Sequence, residues 1–136
     1  MSIPAKLRSE VVRRAAGRCE YCRLSQKGQE AAFHVDHIHP VARDGRTELP
    51  NLALACVSCS LRKGARMTCE DPKSGAQVPV FHPRQQDWKE HFRWAGFRVI
   101  GRSPSGRATV ELLRMNREIA LAIRAEDARL GRHPAE

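Results

Sequence analysis

The chain has 136 residues, which fits one domain of ordinary size, and its 24 Lys and Arg against 15 acidic residues give a formal net charge of +9. This surplus, in which Arg far outnumbers Lys, predicts a polyanionic partner; a soluble protein with an Arg-rich composition and no such partner is the alternative. No apolar run approaches the roughly 18 residues of a membrane span, and the N-terminus lacks the apolar middle of a signal peptide, so we expect a cytoplasmic protein that avoids membranes.

The chain begins with a predicted short helix. Pro4 suits its first turn, Leu7 and Val11 recur at helical spacing, and Gly17 stands where a C-terminal cap belongs. This helix leads directly into the segment RCEYC.

A strand, a turn, a second strand and a helix are predicted next. The first strand covers AAFHVDHIHP, the turn covers RDGRTELP, the second strand lies in NLALAC, and the helix follows in VSCSLRKGAR. Half of the chain's 6 histidines fall within residues 33–40. Such a strand is a metal site, carries a catalytic base, or holds these residues by accident.

The second half of the chain is predicted to form turns, a hairpin and helices. Turns cover EDPKSGAQVPVFHP, a helix covers PRQQDWKEHF, and FRWAGFRVIG forms two short strands. Ser103 or Ser105 caps the next helix, and a break near Asn116 separates it from the last one. The apolar residues of these helices that we expect in the core are Leu112, Leu113, Met115, Ile119 and Ile123. We expect residues 1–70 and 71–136 to pack as one compact unit.

Four of the 5 cysteines form two C-x-x-C pairs, separated by 33 residues. Disulfides are disfavoured in a reducing compartment, and a chain with 5% aromatic residues has a thin core that a metal would reinforce. We therefore predict one structural zinc ion bound by four thiolates; two unrelated redox or buried pairs are the alternative. The zinc ligands would be Cys19, Cys22, Cys56 and Cys59, and Cys69 would remain a free thiol without a role.

The order CEYC, VDHIHP, NLALAC and CSLRKG resembles the HNH endonucleases over residues 19–63. The tail from PVFHPRQQDWKEHFRWAG to GRHP is also similar to an extension carried by one bacterial branch of that family. The resemblance implies an α+β fold. A ββα-metal nuclease module with a structural zinc would occupy residues 1–70, and residues 71–136 would form a C-terminal extension with a small hairpin and helices.

The resemblance also implies roles for individual residues in the hydrolysis of a phosphodiester bond. His37 would be the general base, and Asp36 would bind a catalytic Mg²⁺ or Mn²⁺. Asn51 would tie the loop between the two strands and so hold His37 in orientation. These three residues are the core of the expected catalytic site.

Four further residues are candidate contacts to the phosphates of a nucleic acid. The resemblance implies this role for Arg62 and Lys63. His34 and His39 lie on either side of the Asp-His dipeptide. Either one alone is better interpreted as an ordinary surface histidine, but their clustering favours a phosphate contact. The basic surplus is larger in the first half of the chain, +6 against +3, which favours binding by the expected nuclease module.

Ser60 departs from the family pattern, which has Asn or His at this position as the second ligand of the catalytic cation. Three outcomes are open: Ser60 binds the cation directly or through water, His39 or His82 replaces it, or the site has lost its cation and the protein only binds. Geometry adds a condition. Asp36 and His37 point to opposite faces of a regular strand, so both serve one site only if the strand twists or the pair lies at its end.

The resulting hypothesis is a metal-dependent endonuclease that acts on DNA in preference to RNA. Nicking by a monomer and double-strand cleavage by a homodimer are both open. The alternative, motivated by Ser60, is a non-catalytic zinc-stapled module that binds nucleic acid. A toxin or effector nuclease is a weaker third hypothesis, because nothing in the sequence resembles a delivery segment.

Overall fold

Short helices and two-stranded antiparallel sheets make up the computed structural model, which describes residues 3–134. The α-helices are α1 (Ala5–Arg14), α2 (Val57–Lys63), α3 (Trp88–His91), α4 (Pro104–Leu112) and α5 (Glu118–Arg129). The strands are β1 (His34–His37), β2 (Leu52–Ala55), β3 (Thr68–Glu70), β4 (Gln77–Pro79), β5 (Phe92–Ala95) and β6 (Arg98–Gly101). This mixture confirms the predicted α+β class. Within residues 3–134, no helix combines the length and apolarity needed to cross a bilayer.

The N-terminal helix is confirmed as predicted. Pro4 lies at its N-cap, where a missing N–H is no loss, and Val11 is buried against the core. Gly17 follows the helix with a φ of +68°, a left-handed conformation that glycine adopts without steric cost. The chain therefore turns at once into the first cysteine pair.

The predicted unit of two strands and a helix is confirmed. β1 and β2 pair antiparallel in a register that sets His34 opposite Ala55 and His37 opposite Leu52. All four residues of β2 are buried, which explains its uninterrupted apolar sequence. Cys56 is the N-cap of α2, and its sulfur accepts a hydrogen bond from the N–H of Cys59 at 3.4 Å. α2 thus starts directly at the second cysteine pair.

Two predictions for residues 68–92 are wrong in part. The segment expected to contain only turns also carries the hairpin of β3 and β4, in which Cys69 pairs with Val78. Strands of three residues are too short to show the alternation that marks a strand in sequence. The helix expected over PRQQDWKEHF contracts to the single turn α3, because Asp87 caps it at Lys89 N and Phe92 already belongs to β5.

The predicted hairpin and helices after residue 91 are confirmed. β5 pairs with β6, and the Ser103 hydroxyl accepts from the Gly106 N–H at 2.9 Å to cap α4. Asn116 breaks the helices, since its side chain is hydrogen-bonded to the N–H and carbonyl of Val99, both at 2.8 Å. Ile119 is not a core residue: it is 61% exposed, because α5 instead buries the face that carries Ala120, Arg124 and Asp127.

The main apolar core draws residues from both predicted segments. It runs from Val11 through β2 to Ala120 and includes Leu113 and Met115, as predicted. Trp88 adds a polar link across the segments, since its indole N–H donates to the carbonyl of Tyr21 at 2.8 Å. The boundary near residue 70 stays a prediction, and the shared core indicates that neither segment alone keeps its apolar face covered.

An ion pair fastens the β3–β4 hairpin to α4. The Arg107 guanidinium donates to both carboxylate oxygens of Asp71, at 3.0 and 2.9 Å. Arg107, followed by the Lys73 N–H and the Ser74 hydroxyl, holds the pKa of Asp71 well below its ordinary value. The folded state is therefore stabilised by this carboxylate above the unfolded pKa near 3.9, and the contribution is lost as the pH falls towards the folded pKa.

We accordingly expect Asp71→Asn to lower the melting temperature at pH 7, and the difference from wild type to shrink as the pH falls below about 4. Thermal unfolding followed by circular dichroism between pH 7 and pH 3 measures that difference. Glu126→Gln, which removes an exposed carboxylate paired with Arg129, is the control and should change little at any pH. A difference for Asp71→Asn that stays constant with pH would contradict the assigned pKa shift.

Candidate active site and metal centre

The sulfur atoms of Cys19, Cys22, Cys56 and Cys59 all lie within 4.8 Å of one another. The Sγ atoms of Cys22 and Cys56 are 3.7 Å apart, which agrees with the edge of about 3.8 Å that a tetrahedron with zinc–sulfur bonds of about 2.3 Å requires. All four thiols are buried and none forms a disulfide. The cluster fits one tetrahedral metal ion, which confirms the prediction of a single metal site at these cysteines.

Local backbone geometry brings the two cysteine pairs into position. The N–H of Cys22 donates to the Cys19 sulfur at 3.4 Å. The N–H of Cys59 makes the same contact with the Cys56 sulfur at the start of α2. Hydrogen bonds from the other cysteines, that of Cys19 foremost, lower the pKa of Cys56. Each pair thus presents two sulfurs to one point, and each has a backbone N–H directed at one of its sulfurs.

Asp36 lies on the side of β1 that faces α2 and is almost fully buried. Its Oδ2 accepts from the Tyr21 hydroxyl at 3.0 Å and lies 3.2 Å from the ammonium of Lys63. Burial raises the pKa of Asp36, and the charge of Lys63 and the Tyr21 hydrogen bond oppose that rise. Asp36 is therefore held as the buried member of a network.

The phosphate contact predicted for Lys63 stays a prediction, and the structure places this side chain next to Asp36. Its side chain is 2% exposed, and its ammonium also donates to the carbonyl of His37 at 3.3 Å. The ammonium therefore faces Asp36, and very little of the side chain is exposed to solvent. Arg62, the other predicted phosphate contact on α2, is exposed and donates from Nε to the Ser58 hydroxyl at 3.1 Å.

Ser60 lies beside a histidine that the sequence did not indicate as its neighbour. The Nδ1 of His34 is 2.9 Å from the Ser60 hydroxyl, on the same face of β1 as Asp36. The two histidines predicted as substitutes for Ser60 are engaged in their own segments. His39 Nε2 lies 2.6 Å from the carbonyl of Arg43, and His82 Nδ1 accepts from the N–H groups of residues 84 and 85 at 3.2 and 3.1 Å.

His37 is the last residue of β1, so the pair of Asp36 and His37 lies at the strand end, one of the two conditions for a shared site. The imidazole is half-buried and its Nε2 lies 2.9 Å from the hydroxyl of Thr47 in the following loop. His37 adjoins Asp36 in the chain, but the two side chains point to opposite faces of the strand. Neither Thr47 nor Tyr21 was indicated by the sequence, although Tyr21 is the chain's single tyrosine and lies inside the first cysteine pair.

The loop of residues 38–51 is closed by Asn51. Its Oδ1 accepts from the His39 N–H at 2.7 Å, and its Nδ2 donates to the carbonyls of His39 and Arg46 at 3.0 and 2.8 Å. Gly45 packs so tightly that a Cβ there would lie 1.7 Å from the carbonyl oxygen of His39. This is the geometry expected of a residue that holds the loop after His37; its part in catalysis stays a prediction.

A cleft of about 700 Å³, here called the loop cleft, lies between this loop and the segment that follows β4. His39, Asn51, Lys63 and His82 are in its wall, whereas His37 is not. Burial, followed by the charge of Lys63, lowers the pKa of His82, so this imidazole is neutral near pH 7. The cleft is therefore lined by predicted residues from the loop after β1, from α2 and from the extension.

The model of the HNH endonuclease family matches residues 19–66, about a third of the chain. The match begins at the first metal-binding cysteine, includes β1, the loop and β2, and ends just after α2. No curated protein and no solved structure matches the chain significantly. The predicted family is thus confirmed for this segment: residues 19–66 are an HNH domain. Its four-cysteine cluster joins the start of the domain to the start of α2.

Proposed function

We propose that the protein is a metal-dependent HNH endonuclease that hydrolyses phosphodiester bonds in DNA, with His37 as the general base. The observation that carries the proposal is the placement of His37 in the matched domain. Its ring is held by Thr47 at the end of β1, directly after the buried Asp36. The family match supports a nuclease or another nucleic-acid-related function. The net charge of +9 is suited to binding a nucleic acid.

His37 is suited to take a proton from a water molecule. When its Nε2–H donates to the Thr47 hydroxyl, Nδ1 carries the free lone pair and can accept that proton. The contact with Thr47 also fixes the ring, and Asn51 fixes the loop that carries Thr47. The chain thereby orients one imidazole nitrogen without using a second histidine.

Asp36 is the residue that would hold the catalytic cation. Within the part of the chain that the structure describes, only the four cysteines form a group of three or more His, Cys, Asp or Glu side chains that could share one ion. A site built on one carboxylate suits Mg²⁺ or Mn²⁺, which keep several waters and bind substrate phosphates. When bound, the cation would offset charge on the phosphate and on the leaving oxygen. Ser60 and His34 lie on the same face and can contribute directly or through water.

The cysteine cluster would hold a structural zinc ion. Four buried thiolates fill a tetrahedral site and leave no open position for water, so this ion would stabilise the fold and take no part in hydrolysis. His34, His39 and Arg62 are exposed around the HNH domain and would contact the phosphates. Such contacts position a strand without reading its sequence.

A second candidate function is a zinc-stapled module that binds nucleic acid without cleaving it. The ion pair between Lys63 and Asp36 favours it, since a buried ammonium at 3.2 Å already neutralises the carboxylate and competes with a divalent cation. A single set of assays separates the two candidates.

We expect wild-type protein to nick or cut supercoiled plasmid in the presence of Mg²⁺ or Mn²⁺, and His37→Ala to be at least about 100-fold slower, the range of a lost general base. Gel electrophoresis against time gives both rates. His91→Gln, which alters a histidine bonded to Ser103 in the extension, is the matched control and should keep its activity. Zinc content and melting temperature must be equal in the three proteins.

Equal rates for wild type and His37→Ala would remove this residue from the mechanism. Salt-sensitive DNA binding by a wild-type protein that cleaves nothing with any divalent metal would support the binding module instead.

A further inference from the structure

A second cleft, of about 530 Å³, lies outside the predicted site residues. It is formed by the end of α1, the first cysteine turn, the segment before α3 and the residues after α5. We call it the arginine cleft, because five arginines line it: Arg14, Arg18, Arg23, Arg84 and Arg132. One acidic residue, Glu20, is also in the wall, so arginine exceeds acid by four formal charges.

Most of this positive charge has no carboxylate partner. Arg84 is paired with Glu20, and Arg132 lies 3.0 Å from Asp127. Three arginines make no ion pair with any residue between positions 3 and 134: Arg14, Arg18 and Arg23. Arg14 and Arg18 donate to backbone carbonyls, and Arg23 stacks over the Trp88 ring at 5.2 Å from its centroid. These contacts are to neutral acceptors and a ring, so none of the three arginines has a carboxylate at ion-pair distance among the described residues.

Two guanidinium donors in the cleft are buried and have no hydrogen-bond partner. They are the Nε atoms of Arg14 and Arg84. Burial, and then the neighbouring charge of Arg14, lower the pKa of Arg84 to about 10, so Arg84 remains charged at neutral pH. Like charges gathered in one cleft repel one another, and an anion with several acceptor oxygens bound among them would relieve that repulsion.

The arginine cleft adjoins the candidate active site. It shares Phe81 and Gln86 with the loop cleft. Arg14 donates to the carbonyl of Leu52, the residue paired with His37 across the β1–β2 ribbon. On its other side, Arg23 and Trp88 also belong to a third cleft, whose basic lining residues include Arg93 and Arg102. The arginine cleft therefore shares lining residues with a cleft on each side, and both of these clefts also contain basic residues.

We propose that the arginine cleft binds backbone phosphates of the nucleic acid, next to the linkage that the HNH domain cleaves. The planar guanidinium fork matches the oxygen atoms of a phosphodiester, and several arginines can share one or two phosphates. Residues outside the matched segment, Arg14, Arg84 and Arg132, supply much of the site, which gives the flanking parts of the chain a role in holding substrate. The choice of nucleic acid as the ligand rests on the proposed function.

The test compares two double variants that each remove two positive charges. Arg14→Gln/Arg23→Gln alters two arginines of the cleft that make no ion pair with a carboxylate among the described residues. Arg13→Gln/Arg129→Gln alters exposed arginines that pair with glutamates on their own helices. Each is made in the His37→Ala background so that binding is measured without cleavage. Fluorescence anisotropy with a labelled 30-bp duplex, between 50 and 200 mM salt, gives the dissociation constants.

We expect Arg14→Gln/Arg23→Gln to bind the duplex about tenfold or more weakly than its parent. The slope of log K against log salt should fall in magnitude by about 1 to 2, since each phosphate contact contributes about 0.9. The control should stay within about threefold. If loss of the Arg14 bond to Leu52 lowers the melting temperature, Arg23→Gln alone, compared with Arg129→Gln, provides the same test, because Arg23 is anchored only by its ring contact.

Equal binding by the cleft variant and the control overturns the proposal. The proposal is also overturned if inorganic phosphate raises the melting temperature of the parent and not of the cleft variant, while both bind the duplex equally. That result would show that the cleft binds a small phosphate compound and not the nucleic acid. Cleavage by the otherwise wild-type protein is scored separately. If the protein cleaves DNA but the cleft variant binds as tightly as its parent, only the proposal for the arginine cleft is overturned. If the cleft variant binds more weakly but the protein cleaves no DNA, only the enzyme proposal is overturned.

Discussion

Replacement of Cys56 by Ser is expected to remove the metal and, with it, the cooperative fold of the protein. A structural zinc site contributes roughly 10–16 kcal/mol of apparent binding free energy, whereas a whole domain is stable by about 5–15 kcal/mol. Loss of the ion therefore consumes most or all of the free energy of unfolding. The four cysteines lie within the main core, so loss of the ion would leave uncoordinated thiols inside it.

The substitution separates two roles of the same side chain. Cys56 is a sulfur ligand in the cluster and also the N-cap of α2, through the N–H of Cys59. Serine is a good N-cap, so Cys56→Ser keeps the cap while it removes a thiolate. A large loss of stability then reports on the metal and not on the start of the helix.

Elemental analysis of zinc and thermal unfolding by circular dichroism measure the outcome. Cys69→Ser is the control, because Cys69 is buried in a separate small cluster with Val80 and Ala108. It should retain one equivalent of zinc and a cooperative transition. Treatment of wild-type protein with a chelator should reproduce the Cys56→Ser result. A Cys56→Ser protein that melts like wild type would show that the fold does not depend on the ion.

The sequence predicted those parts of the fold whose causes are local. Helical spacing indicated α1, the Ser103 cap indicated the start of α4, and the apolar run of β2 indicated a buried strand. The hairpin of β3 and β4 was missed because each strand has three residues and its turn is organised by Asp71, whose side chain accepts from Lys73 N at 3.1 Å and the Ser74 hydroxyl at 2.8 Å. The prediction that Ile119 lies in the core was wrong because successive helical residues point in different directions. Ala120 therefore faces the core while its neighbour Ile119 faces solvent.

The candidate site was predictable only as far as it depends on motif spacing. Two C-x-x-C pairs indicated the metal cluster, because each pair needs only its own turn. Contacts between distant segments carried no such signal. The partner of Asp36 is Tyr21, 15 residues away, and the arginine cleft joins Arg18 to Arg132, 114 residues apart. The packing of α2 on β1 determines whether the Lys63 ammonium faces solvent or Asp36. The spacing of motifs in the sequence does not predict that packing.

Lys63→Met is expected to destabilise the protein by about 3–5 kcal/mol, because it leaves the carboxylate of Asp36 buried without its counter-charge. Lys63 is 2% exposed and Asp36 is 9% exposed, so solvent screens the pair little. The Tyr21 hydroxyl still donates to Oδ2, which favours the lower end of that range. Asp36→Asn/Lys63→Met removes both charges and should recover much of the loss, as a double-mutant cycle would reveal.

The pH dependence of Lys63→Met follows from the sign of the pKa shift. Burial already raises the pKa of Asp36, and loss of the ammonium that opposes this rise raises it further. An acid whose folded pKa exceeds its unfolded value stabilises the fold at low pH, and this contribution is lost as the pH rises towards the folded pKa. Acidification from pH 7 to pH 5 should therefore restore part of the lost melting temperature in Lys63→Met, and none in the double variant.

The same variant tests whether Asp36 can bind the catalytic cation, without reference to activity. In Lys63→Met a divalent cation no longer competes with the ammonium, so Mg²⁺ or Mn²⁺ should raise the melting temperature of this variant more than that of wild type. Asp36→Asn/Lys63→Met has no carboxylate at this position and should not respond. If neither cation stabilises Lys63→Met, Asp36 is a structural partner of Lys63 and Tyr21, and the HNH domain is better described as a module that binds nucleic acid. If they do, the carboxylate that pairs with Lys63 inside the protein can also bind a divalent cation, as the proposed mechanism requires.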